Sequence, residues 1–145
     1  MSQIFEHMLI PYNGCPGSQK AFKKAVALAE LTKSKITILT CLESRSTFGL
    51  FKTKTNKQEF EREHKLVSLE HAKLEKYATE KGVSSNYKII TNNVPSEAIL
   101  EYTEKQNVDL IIMGIKKRTR YEKSHFPSTL EYVSKNFQGA LLILN

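Results

Sequence analysis

Apolar residues fall along the chain in short runs, separated by longer stretches whose apolar positions recur at helical spacing. Met8 to Pro11, flanked by Ile4 and Phe5, is an apolar run that ends in the turn signal Tyr12-Asn13-Gly14. Gly17-Ser18 then opens a helix with Ser18 as its cap, and Ala21, Phe22, Ala25, Val26, Leu28 and Ala29 form its buried side. Ile36 to Leu42 is β-branched and apolar, a second buried strand. Lys57 to Lys81 is a long amphipathic helix with Phe60, Val67, Leu74 and Ala78 on one stripe, and Gly82 stops it. Asn86 to Thr91 is a third strand. Val94-Pro95-Ser96-Glu97 starts the next helix, because proline in the first turn gives up only an N–H without a helical partner, and Ala98, Ile99 and Tyr102 supply its apolar side.

The run Asp109 to Gly114 is apolar on both sides of the strand alternation, as in a central parallel strand covered on both faces. A helix from Ser128 to about Phe137, opened by the capping-box spacing Ser128-Thr129-Leu130-Glu131, and a strand Ala140 to Asn145 complete the pattern. Five strands alternating with four helices predict an α/β fold: one domain over residues 1–145, with a single doubly wound, five-stranded parallel sheet. Right-handed crossovers put the ends of the first and fourth strands side by side where the winding reverses, so Asn13, Gly14 and Gly114 meet there. Glycine at position 114 would let the backbone turn sharply and approach a bound group.

The connection Ile115 to Pro127 carries Lys116, Lys117, Arg118, Arg120 and Lys123 and leads into the helix starting at Ser128. Basic side chains beside a helix amino terminus suit a phosphate. The same residues also read as a solvated surface, with Ser128 as a cap alone. Glu43 to Asn56 mixes basic residues with Phe48, Leu50 and Phe51, which fits a partner or lid segment as well as a loop folded back on the domain.

Composition narrows the field. The apolar fraction is 40%, and the longest apolar runs, Leu110 to Ile115 and Ala140 to Leu144, are far short of a membrane span. Met1 to Pro11 lacks the pattern of a secretory leader. Cys15 and Cys41 are too few for a zinc site or disulfide framework, which fits a reducing cytoplasm. Cys15 follows the first strand and Cys41 ends the second, and these strands are neighbours in such a fold, so a redox pair is the alternative to two unpaired thiols. His64 and His71 share a helix face but lack further ligands, so the expectation is no metal site and two solvent-facing or half-buried histidines. A net charge of +7 invites a nucleic-acid reading that would gather Lys52, Lys54, Lys116, Lys117, Arg118 and Arg120 on one surface, although no reader motif accompanies them.

Three segments together resemble the universal stress protein family. Met8-Leu9-Ile10-Pro11-Tyr12-Asn13 stands at its first motif, Val94-Pro95-Ser96-Glu97-Ala98-Ile99-Leu100 at its second, and Ile112-Met113-Gly114 through Ser128 at its third, in the family's order and spacing. The resemblance covers nearly the whole chain and implies a Rossmann-like fold of the adenine nucleotide alpha hydrolase-like type, a cytoplasmic stress-response role, and ATP or another adenine nucleotide as ligand. The residues it assigns to that ligand are Pro11, Asn13, Cys41, Met113, Gly114, Lys117, Pro127, Ser128 and Thr129. Nine residues separate Lys117 from Pro127, as in the family, but the residue types differ: Asn13 stands for the family's aspartate, and Lys117 and Pro127 for two glycines. Proline removes a backbone donor and lysine hinders close backbone approach, which implies weakened or altered nucleotide binding.

No catalytic residues are assigned. Asp109 is the only aspartate and starts its strand at the end away from the cleft, whereas an ATPase needs a carboxylate that holds the metal. The last strand, Ala140 to Leu144, is an apolar edge of the kind that tends to be covered or paired, and the resemblance implies that it pairs with its copy in a homodimer. A basic-surface module for nucleic acid or a protein partner, with no nucleotide ligand, is the alternative.

Overall fold

The computed structural model describes residues 4–42, 54–91, 94–115 and 128–144. Its elements follow the chain as β1 (His7–Pro11), α1 (Pro16–Thr32), β2 (Lys35–Leu42), α2 (Lys54–Glu80), β3 (Ser85–Thr91), α3 (Pro95–Lys105), β4 (Leu110–Gly114), α4 (Ser128–Asn136) and β5 (Ala140–Leu144). The five strands are all parallel, in the order β3-β2-β1-β4-β5. The winding runs outward from β1 in both directions, so it reverses between β1 and β4, the doubly wound Rossmann-like arrangement expected from the sequence.

Strand alternation sorts the core into two layers. Met8, Ile10, Tyr12, Ile36, Ile38, Leu110 and Ile112 pack with Phe22, Val26 and Ala29 of α1 and Ala78 of α2. On the other face Leu9, Leu39 and Ile111 pack with Ile99 of α3 and Val133 of α4. Covering on both faces explains why Met8, Leu9 and Ile10 are all fully buried in one strand.

Two helix ends differ from the sequence reading. The cap of α1 is Cys15, not Ser18: the helix begins at Pro16, and Ser18 lies buried inside its first turn. Gly14, at φ +83°, supplies the left-handed residue that lets the chain turn from β1 into that helix. The second helix begins at Lys54 rather than Lys57 and ends as expected. Gly82, at φ +74°, donates its N–H to the Thr79 carbonyl and Val83 donates to the Ala78 carbonyl, both at 2.9 Å, the Schellman pattern.

At the amino edge of the sheet Asp109 ties two strands together, accepting the N–H groups of Glu6 (2.8 Å) and His7 (3.1 Å). The buried His7 ring lies between the Gln106 carbonyl (3.0 Å) and the Thr37 hydroxyl (2.7 Å), and burial holds its pKa below the ordinary value.

Candidate functional site

The carboxyl edge of the sheet collects most of the residues named from the sequence. Pro11 ends β1, Asn13 and Gly14 follow it, Cys41 is next to the last residue of β2, Met113 and Gly114 end β4, and Ser128 and Thr129 open α4. Lys117 and Pro127 lie outside the described residues, as do the basic residues from Lys116 to Lys123, Lys52 and most of the segment Glu43 to Asn56. Alternation puts Pro11, Cys41 and Met113 on the face that carries Leu9, Leu39 and Ile111. These side chains therefore turn towards α3 and α4.

Asn13 is an organiser of the turn. Its Oδ1 accepts the Cys15 N–H (3.1 Å) and the Ser18 hydroxyl (2.9 Å), which closes an Asx turn over the start of α1. The side chain's acceptor is therefore engaged with the protein's own backbone and helix.

Gly114 differs from its expected role. Its φ is not positive, so no special turn is made there. What requires glycine is proximity: a Cβ at this position would overlap the Gly17 carbonyl group and come within 2.9 Å of the Gly17 Cα. The close backbone approach is thus to the first turn of α1.

Neither cysteine forms a disulfide. Burial raises the pKa of the Cys15 thiol, but hydrogen bonds from the Ser18 and Gly17 backbone N–H groups and from the Ser18 and Asn13 side chains outweigh it, leaving the thiol below its ordinary value. Among the described residues no group of three or more His, Cys, Asp or Glu is placed to hold a metal ion, and no helix is long and apolar enough to cross a membrane.

The histidine expectation is corrected. His64 is exposed, but His71 is fully buried, neither solvent-facing nor half-buried. Its Nε2 lies 2.6 Å from the Thr40 hydroxyl, which is also 2.8 Å from the Tyr12 carbonyl oxygen. A carbonyl only accepts, so Thr40 donates to Tyr12 and accepts from His71, which fixes the Nε2–H tautomer. The bare Nδ1 has no hydrogen-bond partner. Burial pushes the His71 pKa down to about 4, against the opposing pull of Glu70, so the ring is neutral at physiological pH. Its ring meets those of Tyr12 and Tyr87 edge to face, with centroids 6.1 and 5.0 Å apart. The signal was present in the sequence, since residue 71 lies on the stripe of Val67, Leu74 and Ala78 at helical spacing.

The geometry agrees with comparisons to known proteins. A universal stress protein of Methanocaldococcus jannaschii is 27% identical over 143 residues, 97% of this chain and 82% of the relative. The solved universal stress protein UspA of Lactobacillus plantarum superposes with a TM-score of 0.80 at 16% identity, covering 97% of each chain. A universal stress protein family protein of Arabidopsis thaliana, solved with AMP bound, superposes with a TM-score of 0.66 at 14% identity, over 96% of this chain and 90% of that one. Residues 5–145 match the universal stress protein family as a whole, and with them the doubly wound sheet and its three motif segments, so this chain belongs to the universal stress protein family.

Proposed function

We propose that the chain is a non-enzymatic, cytoplasmic stress-response protein that works as a homodimer and takes an adenine nucleotide at its carboxyl-edge cleft weakly or with altered preference. The observation that carries this reading is the state of Asn13. It stands where the ATP-binding branch of the family has an aspartate, and its Oδ1 already accepts from Cys15 and Ser18. With that acceptor engaged, the side chain can offer a ligand only its amide donors, which also serve the Cys15 thiol and suit a base edge or phosphate oxygen better than a ribose diol. The AMP found in the Arabidopsis relative supports an adenine nucleotide as the ligand class.

The absence of turnover rests on Asp109. Both of its carboxylate oxygens accept backbone N–H groups at the amino edge, across the sheet from the cleft. That leaves the chain's only aspartate far from any phosphate. Titration with ATP and magnesium and with AMP, alongside a phosphate-release assay, tests both halves. The expected result is a dissociation constant weaker than roughly 100 μM with no turnover. Hydrolysis by the purified protein that disappears in a cleft variant would contradict it.

A further inference from the structure

A polar network lies towards the amino end of the sheet, on the α3 side and away from the carboxyl-edge cleft. His7 of β1, Thr37 of β2, Asn86 of β3 and Tyr102 of α3 meet there. His7 Nε2 is 2.7 Å from the Thr37 hydroxyl, which is 2.6 Å from the Asn86 side-chain amide, and the Tyr102 hydroxyl donates weakly to Thr37 from 3.4 Å. Thr37 is fully buried, whereas Asn86 is exposed and stands on an edge strand of the sheet. The row therefore connects a buried titratable ring to the surface.

Counting protons leaves this row two arrangements. His7 Nδ1 faces the Gln106 carbonyl at 3.0 Å, and a carbonyl only accepts, so Nδ1 carries a hydrogen in both. In the neutral ring Nε2 is then a bare acceptor. Thr37 must give it its single proton, and Asn86 must turn its Nδ2 inward to donate to the Thr37 oxygen. In the charged ring Nε2 donates to Thr37, whose proton swings to the other side, and Asn86 turns its Oδ1 inward to accept it. The structure holds Oδ1 inward, the arrangement of the charged ring. A half turn of the amide exchanges the two atoms without changing its shape.

We propose that this row is an acid-sensing relay: protonation of His7 reverses the Thr37 hydroxyl and turns the Asn86 amide, so that the exposed side of Asn86 changes from an acceptor to donors. Each step exchanges one hydrogen bond for another, so the turn loses no bond and needs no backbone movement. The groups around the ring divide. Burial is the largest influence and disfavours the charge, the Gln106 carbonyl favours it, Lys35 of β2 opposes it, and Asp109 ahead of β4 favours it. The Tyr102 phenol packs its ring edge to face on His7, with centroids 6.5 Å apart. The balance sets the titration below the ordinary 6.5, so the ring is neutral at neutral pH and charges on acidification.

The test follows the His7 ring nitrogens and the Asn86 side-chain amide of the full chain by NMR from about pH 8 to about pH 4.5. The expected result is the Nδ1–H tautomer in the neutral ring, with the Asn86 amide signals shifting along the same curve as His7 and a midpoint below 6.5. Thr37→Val, which keeps the shape and removes the hydroxyl, leaves His7 titrating and makes the Asn86 signals independent of it. If Thr37→Val does not fold, Asn86→Asp at the exposed end takes its place. A carboxylate only accepts, so it holds the relay in its acid arrangement. It raises the proton affinity of His7 at least about tenfold, in about 1 M salt as in dilute buffer, whereas a charge acting through solvent is screened. An Nε2–H tautomer in the neutral ring, Asn86 signals that ignore the His7 midpoint, an Asn86 response that survives Thr37→Val, or an unchanged His7 midpoint in Asn86→Asp overturns the proposal.

Discussion

Gly114, at the end of β4, and Gly17, in the first turn of α1, meet backbone against backbone. The relationship is unequal. A methyl group on Gly114 would overlap the Gly17 carbonyl, whereas one on Gly17 would meet the Ile115 carbonyl oxygen at 3.3 Å. Gly114→Ala must push a helix off the sheet and is expected to cost about 3 kcal/mol or to prevent folding. Gly17→Ala needs a shift of a few tenths of an ångström and gains up to about 1 kcal/mol of helix propensity, so it should be near neutral. Chemical denaturation of the two variants checks the contrast; equal effects would mean that the contact is not what fixes Gly114.

Asn13 joins the strand to the helix, and its replacement separates two roles. Asn13→Ala removes both acceptor contacts over the start of α1 and should cost about 1 to 2 kcal/mol. Asn13→Asp keeps the acceptor and adds a negative charge near a helix amino terminus, so stability should hold or rise by up to about 1 kcal/mol. Denaturant midpoints decide this, and an unaffected Asn13→Ala would remove the capping role.

His71 makes stability depend on pH. Its folded pKa of about 4 lies below the ordinary 6.5, so between these values the unfolded chain binds the extra proton. The stability that His71 contributes is therefore fully present above pH 6.5, falls as pH drops towards 4, and is lost below that. His7, whose pKa is also lowered by burial, adds a contribution of the same sign. His71→Phe keeps the ring packing and leaves Thr40 its bond to Tyr12, so it should lie within about 1 kcal/mol of the parent at neutral pH. Its denaturant midpoint should fall less than the parent's on going to about pH 5; parallel losses in both proteins would contradict the assignment.

The edge strand β5 offers four half-buried apolar residues, Leu141 to Leu144, beside a backbone edge that no other strand pairs among the described residues. Such an edge tends to be covered. Light scattering at micromolar protein should give the mass of a dimer, and Ile143→Lys should shift it towards the monomer. A monomer mass for the parent protein would contradict the proposed assembly.

The layers of the fold were legible because each rests on local pattern. Branched apolar runs marked β1, β2 and β4, and three- and four-residue spacing marked the buried side of α1. The relationships across the sheet were not legible. Nothing near Gly114 in sequence names Gly17 as its neighbour, so its glycine read as a turn towards a ligand rather than a place where a helix leans on a strand. His71 read as solvent-facing or half-buried because its neighbours Thr40, in β2, and Tyr12, just after β1, lie far from it in sequence. Asn13 was marked as a cleft residue from its motif, while the bond that fixes it, to Ser18, depends on where α1 begins, and that cap was placed three residues late.

The central claim is that the cleft has lost the features that hold a nucleotide tightly. Calorimetric titration with ATP and magnesium, comparing the parent with an Asn13→Asp, Lys117→Gly, Pro127→Gly variant, tests it most directly. The account predicts weak heats for the parent and binding at least about tenfold tighter once the carboxylate and glycines are restored. Low-micromolar binding by the parent, unchanged in the variant, would contradict it and mean that the basic loop already serves as the phosphate cradle.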